Sequence, residues 1–384
     1  MAPPAASSPD WRALALEVDP PAIIYDASAL EAAVEELHAD LTVVPGAELA
    51  FAVKANRSPG VLRTLARAGV GADVASVPEL RAAQAAGMRP IHATAPAFGA
   101  VDLKDLVAAG ARPDLDGMTQ LRTWSTAFPD DRQIGLRIRA PVPPVEREHD
   151  GGRRWSRFGV DVADPALHEA LAELGLEVVQ LHIHAGEMAN PERVALIGEV
   201  LEAATQLFPG TMLLNVGGGL AALYGDDERV GSAWTALGAS VARIGAQLGR
   251  APRVVVEPGM LVAAMAGVLV TEVRAVETPR GAEAATVTVD ASAWALMPWS
   301  VARVLDAVPE RSEAPSLVDV AGSSCYERDW LVIGARCPLP RPGDRLVISA
   351  AGAYVTSMAR NVHGVPLPDE WILDGGRLER ATFT

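Results

Sequence analysis

Eight short apolar runs, spaced by amphipathic helical stretches, occupy the first two thirds of this chain and leave few folds open to it. The runs lie at residues 49–53, 72–75, 91–94, 113–115, 133–138, 177–183, 212–216 and 253–256. Most are continuous rather than alternating in polarity, the pattern of parallel strands covered on both faces. Ala- and Leu-rich helical stretches recur between them, at 61–68, 78–86, 103–109, 165–174, 191–207 and 231–248. Gly69, Gly87, Gly110 and Gly249 stand where C-terminal helix caps belong. Ser28 with Glu31 reads as a capping box that opens an earlier helix, running to about residue 41. An open doubly wound sheet fixes no strand number, whereas a (β/α)8 barrel requires eight. The reading is therefore α/β, with a closed TIM-type barrel.

The alternation stops after about Met265. From there strands are predicted at 268–276, 285–289, 317–320, 331–333 and 345–349, punctuated by the Pro- and Gly-rich run 338–344. This predicts a second, β-rich domain, and a length of 384 residues leaves room for one. The stretch 140–155 has no period and reads as a long loop. Lys and Arg number 33 against 48 Asp and Glu, a net charge of -15, which argues against nucleic-acid and anionic-membrane partners. Two cysteines, Cys325 and Cys337, make no disulfide scaffold. The N-terminal residues lack the pattern of a signal peptide, and the longest apolar stretch, 260–270, falls well short of the roughly 20 residues a span needs. A cytoplasmic location is expected.

In a (β/α)8 barrel, chemistry sits at the carboxyl ends of the strands. Those positions carry Lys54, Asp73, Asp116, Arg137 with Arg139, His182 with His184, Gly217-Gly218-Gly219, and Glu257. Only two of the basic residues are lysines, Lys54 and Lys104. A desolvated Lys54 would be a Schiff-base nucleophile; otherwise it snorkels past a strand end. The glycine triplet follows the seventh strand, where barrels commonly bind phosphate. Glu257 could hold a heteroaromatic nitrogen protonated, or serve in an ion pair. His182 and His184 with Glu187 allow a metal site, although His182 reads more readily as a core histidine bonded to backbone. Together a lysine, a phosphate cradle, a ring-nitrogen partner and a flat imidazole describe a pyridoxal-phosphate site.

Eight ordered motifs carry a resemblance. They are Phe51-Ala52-Val53-Lys54-Ala55-Asn56, Asp73-Val74-Ala75-Ser76 with Glu79, Ser156-Arg157-Phe158-Gly159, His182-Ile183-His184-Ala185-Gly186, Asn215-Val216-Gly217-Gly218-Gly219, Glu257-Pro258-Gly259, Cys325 with Asp329, and Gly352-Ala353-Tyr354. From Ile23 to Gly364 the chain resembles the fold type III pyridoxal-phosphate decarboxylases, which act on diaminopimelate, ornithine or arginine. The resemblance implies an alanine-racemase-like barrel over 27–265 that binds pyridoxal 5′-phosphate. It also implies a C-terminal β-barrel or sandwich from 266–384, to which 1–26 adds a strand. It implies that Lys54 forms the Schiff base, that His184 stacks on the ring, and that Asp73 lies in the cofactor site. The backbone N–H groups of Gly217, Gly218 and Gly219 would hold the phosphate with the Tyr354 hydroxyl, and Glu257 would pair with the pyridinium nitrogen. A homodimer with shared active sites is implied, Cys325 and Asp329 arriving from the partner and Cys325 protonating Cα of a quinonoid carbanion.

Four departures bear on the amino-acid-like substrate. Met260 replaces an arginine near the phosphate, Glu187 replaces a serine, Met297 stands for an arginine before Pro298, and Tyr326 follows Cys325 where diaminopimelate enzymes carry a glutamate. A distal carboxylate would lose its bidentate fork. Met297, Trp299 and Tyr326 point to an apolar or bulkier pocket, while Glu187 and Glu327 could meet a cation. The expectation is decarboxylation of an amino acid other than diaminopimelate, with a place in specialised metabolism. A racemase or epimerase on the same fold, and a non-catalytic homologue that binds a partner protein, stay open.

Overall fold

The structure, a computed structural model, describes residues 9–142, 152–278, 281, 283–296 and 301–382. It clusters into two units, one of residues 34–53 and 65–261, the other drawn from 2–33, 54–64 and 262–384.

Strands are numbered along the chain. After β1 (Ala22–Asp26) come β2 (Ala47–Ala52), β3 (Gly71–Val74), β4 (Ile91–Thr94), β5 (Arg112–Leu115), β6 (Gln133–Arg137), β7 (Glu177–His182), β8 (Leu213–Asn215) and β9 (Arg253–Val256). β2 to β9 are parallel, pair in chain order and close into a barrel where β9 meets β2. Each of the eight apolar runs overlaps one of these strands. Continuous apolar sequence is what a strand buried on both faces needs, and Val254, Val255 and Val256 in β9 are fully buried. Burying each such side chain stabilises by about 1.5–3 kcal/mol.

Local signals set the crossover helices. Asp164 and Asn190 each cap a helix that begins with proline, at Pro165–Leu174 and Pro191–Leu207. Asp226 caps Asp227–Leu248, which ends at left-handed Gly249. The helix Ala27–Asp40 is capped by Asp26 rather than by Ser28: the Ser28 N–H and hydroxyl both donate to Asp26 Oδ1, at 2.9 and 2.6 Å. The flanks of the 140–155 stretch are ordered: Val142 N–H donates to Arg154 O and Ser156 N–H to Ala140 O, both at 2.9 Å. Its middle, 143–151, lies outside the described residues.

The second unit is a nine-stranded sheet. It comprises β1 and β10 (Gly267–Glu277), β11 (Ala285–Val289), β12 (Val304–Val308), β13 (Ser316–Ala321), β14 (Trp330–Cys337), β15 (Arg345–Ile348), β16 (Asp369–Asp374) and β17 (Arg377–Arg380). The order is β14-β13-β11-β10-β1-β16-β17, and β15 branches from β10 to reach β12. β1 lies inside it, antiparallel to β10 and parallel to β16. Leu14, Val18 and Ile24 pack with Val268, Val270, Val308 and Val347 in its core. Three of its strands, β12, β16 and β17, are absent from the sequence reading. Among the described residues no helix is long and apolar enough to cross a membrane.

Candidate active site

The carboxyl ends of the barrel strands gather a buried polar chain. Asn215, the last residue of β8, donates from Nδ2 to Glu257 Oε1 at 2.6 Å. Glu257 follows β9, is 4% exposed, and has its second oxygen 3.8 Å from His182 Nε2. The other ring nitrogen, Nδ1, lies 3.4 Å from Thr94 Oγ1 and 3.9 Å from Asp114 Oδ2. Thr94 donates its hydroxyl to Asp114 Oδ2 at 3.0 Å, and Gln180 Nε2 donates to Asp114 Oδ1 at 2.7 Å. Burial pushes the Asp114 carboxyl up to about 6, against the bonds from Gln180 and Thr94 that favour its charge. His182 is buried in the barrel core, and a hydroxyl and two carboxylates lie near its ring nitrogens. Asp73, in β3, is buried in the same barrel and raises Asp114 further.

His184 lies beyond the end of β7, and its Nδ1 accepts the Gly218 N–H at 3.2 Å. The Gly217 N–H donates to Asn215 Oδ1 at 2.9 Å, and the Glu257 N–H to Gly217 O at 2.8 Å. The Gly217 and Gly218 amides, expected to hold an anion, donate to Asn215 and His184 in this chain, and the triplet also contributes shape. Gly219 is left-handed at φ +87°; a Cβ there would lie 2.2 Å from Gly186 O, and one on Gly218 would lie 2.2 Å from Glu257 O. Only glycines let the bend pass this close to both loops. Glu187 is exposed, and among the described residues no three His, Cys, Asp or Glu side chains are grouped to hold a metal.

The chain leaves β2 into a short turn, Val53–Ala55, that carries Lys54. Lys54 is exposed, not the desolvated amine that its apolar run suggested. The turn belongs to the second unit and is tied there to Tyr354: the Tyr354 N–H donates to Ala55 O at 2.7 Å, and Asn56 Nδ2 to Gly352 O at 2.8 Å. Tyr354 is itself left-handed, φ 56°, a conformation that costs a non-glycine residue about 1–2 kcal/mol and fixes where its side chain leaves the backbone.

Cys325 is exposed, and its N–H donates to His363 Nε2 at 3.3 Å. Tyr326 is stacked between two rings, Trp294 at 4.8 Å and His363 at 5.5 Å. Glu327 is exposed. Asp329 is 4% exposed and already engaged: Oδ2 accepts from Ser292 Oγ and the Ser324 N–H, both at 2.9 Å, and Oδ1 from the Ala293 N–H at 2.7 Å. Its observed work is to hold this loop and the start of the helix Ala293–Leu296, a role that its expected assignment to substrate did not include. Met297 lies outside the described residues, as do Pro298 and Trp299. Met260 opens the short helix Met260–Ala263.

One cluster is richer than the sequence reading made it. Arg137 Nη1 pairs with Asp116 Oδ1 at 3.2 Å, and Asp116 also accepts the Gly159 N–H at 3.1 Å. Phe158 lies against two guanidiniums, Arg137 at 4.4 Å and Arg157 at 3.8 Å. Desolvation raises the Asp116 carboxyl above its ordinary value in spite of Arg137. Arg137, Arg157 and Phe158, with Ser156, His184 and Gly186, line a cavity of 210 Å³. The sequence nominated Asp116 and Arg137 at strand ends and Ser156–Gly159 as a motif, but it did not pair them.

The pyridoxal-binding domain of the pyridoxal-dependent decarboxylases matches residues 28–264. The diaminopimelate decarboxylase of Methanothermobacter thermautotrophicus is 30% identical, over 87% of this chain and 82% of its own. That of Deinococcus radiodurans is 30% identical, over 92% and 90%. Among solved structures, the diaminopimelate decarboxylase of Helicobacter pylori complexed with L-lysine superposes with a TM-score of 0.78, at 21% identity and over 97% of both chains. The lysine/ornithine decarboxylase of Vibrio vulnificus complexed with putrescine gives 0.76, at 18% identity and over 94% and 96%.

Proposed function

This chain belongs to the pyridoxal-dependent decarboxylase family, and on that premise we propose that it removes the α-carboxylate of an amino acid other than diaminopimelate, with pyridoxal 5′-phosphate as its cofactor. The barrel fits that group in two respects. A buried carboxylate, Glu257, stands at the strand ends, and the bend Gly217–Gly219 brings backbone to within a distance that any side chain would fill. When bound, the cofactor supplies an electron sink for the pair released as carbon dioxide departs.

The chain's own residues do the rest. Lys54 Nζ would hold the cofactor and yield it to the substrate amine. Glu257 would keep the ring nitrogen protonated, since an anion beside that nitrogen favours its charged form. His184, its Nδ1 fixed by the Gly218 N–H, would cover one face of the ring. Asp73 and the Tyr354 hydroxyl would complete its contacts. Cys325 Sγ would deliver a proton to substrate Cα, in a homodimer whose partner chain receives it; the exposure of Cys325 in the single chain supports that reading.

The substrate reading rests on Tyr326. Where a diaminopimelate enzyme is expected to carry a carboxylate directly after the cysteine, this chain carries a phenol ring stacked on Trp294 and His363. Such a stack offers flat apolar surface and no group that would receive a distal ammonium and carboxylate pair. Glu187 and Glu327 are exposed carboxylates, a chemistry that would accept a cationic substrate group. The names of the relatives favour diaminopimelate as the second reading.

Carbon dioxide release from a panel of amino acids separates the two. The panel holds meso-diaminopimelate, lysine, ornithine, arginine and the large apolar and aromatic amino acids. Release from a bulky or apolar member, abolished in Lys54→Ala, is the expected result, and meso-diaminopimelate as the fastest substrate would overturn it. Exchange of the Cα proton without release would make the chain a racemase, and a purified chain without a visible absorbance that borohydride bleaches would make it a non-catalytic homologue.

A further inference from the structure

Glu257 can hold a ring nitrogen protonated only if it is itself ionised and faces one way, and a carboxylate that is 4% exposed is not ionised without help. Asn215 helps at one oxygen, at 2.6 Å. That amide N–H favours the charged carboxylate, but it acts on one oxygen only and brings no charge of its own. The other oxygen faces His182 Nε2 at 3.8 Å, within the range of a charge interaction though longer than a hydrogen bond.

What stands behind His182 sets its protonation. The Thr94 hydroxyl has one proton, and at 3.0 Å from Asp114 Oδ2 that proton goes to the carboxylate. The Thr94 oxygen therefore accepts from His182 Nδ1, 3.4 Å away, so Nδ1 carries a proton. Asp114 lies 3.9 Å from the same nitrogen. The imidazole thus has a carboxylate facing each ring nitrogen and is 2% exposed. Asp73 and His92 also act on Asp114, the first opposing its charge and the second favouring it. Barrel register produces this juxtaposition: Thr94 is opposite Asp114 across β4 and β5, and His182 is opposite Asn215 across β7 and β8.

We propose that His182, backed by Thr94 and Asp114, is a positioning residue that keeps Glu257 ionised and in one orientation, and so sets the protonation of the cofactor's ring nitrogen. The inference rests on the cofactor reading above and extends it to three side chains, His182, Thr94 and Asp114, acting through Glu257. The proposal takes the ring as doubly protonated, with Nε2–H toward Glu257 and Nδ1–H toward Thr94 and Asp114; a cation within about 4–6 Å of a carboxylate lowers its pKa by about 1–3 units, so losing His182 should cut the ionised-to-neutral ratio of Glu257 about tenfold or more.

The test uses the holoenzyme reconstituted with pyridoxal phosphate labelled with ¹⁵N in the ring. His182→Leu should shift the ring ¹⁵N resonance from the protonated toward the unprotonated position. It should also lower kcat about tenfold or more while KM stays within about threefold. His182→Gln, which returns a donor toward Glu257, should recover part of both. A His182→Leu enzyme with the wild-type ¹⁵N resonance and kcat overturns the proposal. Where His182→Leu does not fold, Asp114→Asn keeps the shape and carries the same test: it should move the resonance in the same direction, and an unmoved resonance overturns the relay. A wild-type chain that takes up no cofactor would overturn the functional reading and the relay with it. A wild-type holoenzyme that decarboxylates while both variants match it would overturn the relay alone.

Discussion

The bend Gly217–Gly219 is a tight backbone approach at the strand ends of the barrel, and Gly218→Ala measures how tight it is. The added Cβ would lie 2.2 Å from Glu257 O, against the 3.4 Å at which ordinary contact begins. The bend or the Glu257 strand end must therefore move by more than an ångström, and both are backbone, so no rotamer change can absorb it. Overpacking of this kind costs about 1–3 kcal/mol. The movement also strains the bond from the Glu257 N–H to Gly217 O, 2.8 Å long, worth about 1 kcal/mol more. The expected loss is about 2–4 kcal/mol. Gly69→Ala is the control. Its φ is +77° and nothing lies within 4 Å of its Cβ position, so it incurs only the left-handed backbone cost of about 1–2 kcal/mol. Both positions lie in the barrel unit, where Trp124 and Trp234 are buried and report unfolding by fluorescence. Urea titrations of the two variants and the wild type should give equal slopes and the largest loss for Gly218→Ala. A Gly218→Ala barrel as stable as the Gly69→Ala barrel would refute the crowding argument, and with it the claim that the triplet contributes shape.

Asp114→Asn should change the pH dependence of stability as well as its level. Asp114 binds its proton more tightly folded, at about 6, than at its ordinary 3.8. Its burial therefore costs nothing below about pH 4 and most above pH 6, and stability from this group falls as pH rises between them, by about 2–3 kcal/mol in all. Asparagine does not titrate, so urea titrations at pH 4 and 7 should show the variant gaining on wild type by about that amount; a gap independent of pH would sink the argument. Asp329→Asn removes the charge from a carboxylate that accepts from Ser292, Ala293 and Ser324, and should cost about 2 kcal/mol by the same measurement on the sheet unit. Tyr25→Phe deletes a buried hydroxyl that donates to Glu370 Oε1 at 3.1 Å; a loss of about 1–2 kcal/mol is expected, and an unchanged midpoint would show that the bond contributes nothing.

The barrel was legible because its strands are buried on both faces and so write themselves as apolar runs, Val254-Val255-Val256 most plainly. The sheet unit was legible only in part, for the complementary reason. In β17, Arg377, Glu379 and Arg380 are exposed, and β16 exposes Asp369 and Asp374, so neither writes an apolar run. β12 buries only Val308 deeply. Strands like these are held by ladder hydrogen bonds that any sequence can make, and polar residues at a sheet edge leave no signature distinct from a loop. The capping error at Ser28 has a similar origin: Ser28-x-x-Glu31 fits the pattern, but Asp26 sits two residues earlier with an oxygen that takes the N–H and the hydroxyl of Ser28 itself.

For the site, position was legible and partnership was not. Strand ends face the catalytic rim of any such barrel, so Asp73, His182, Glu257 and the glycine triplet could be nominated from order alone. What each nominee touches depends on the closure of the barrel. Thr94, Asp114 and His182 lie 20 and 68 residues apart in the chain, and nothing short of strand register says that a threonine hydroxyl hands its proton to one of them and takes one from the other. The same closure decides the glycines. A phosphate-binding triplet and a bend whose first two amides serve Asn215 and His184 read identically in sequence, and they differ only in which way two N–H bonds turn. A single fold can therefore keep its nominated residues and still change its chemistry: altering Thr94 or Asp114, neither of them nominated, would redistribute the protons around Glu257 while leaving the family's motifs untouched.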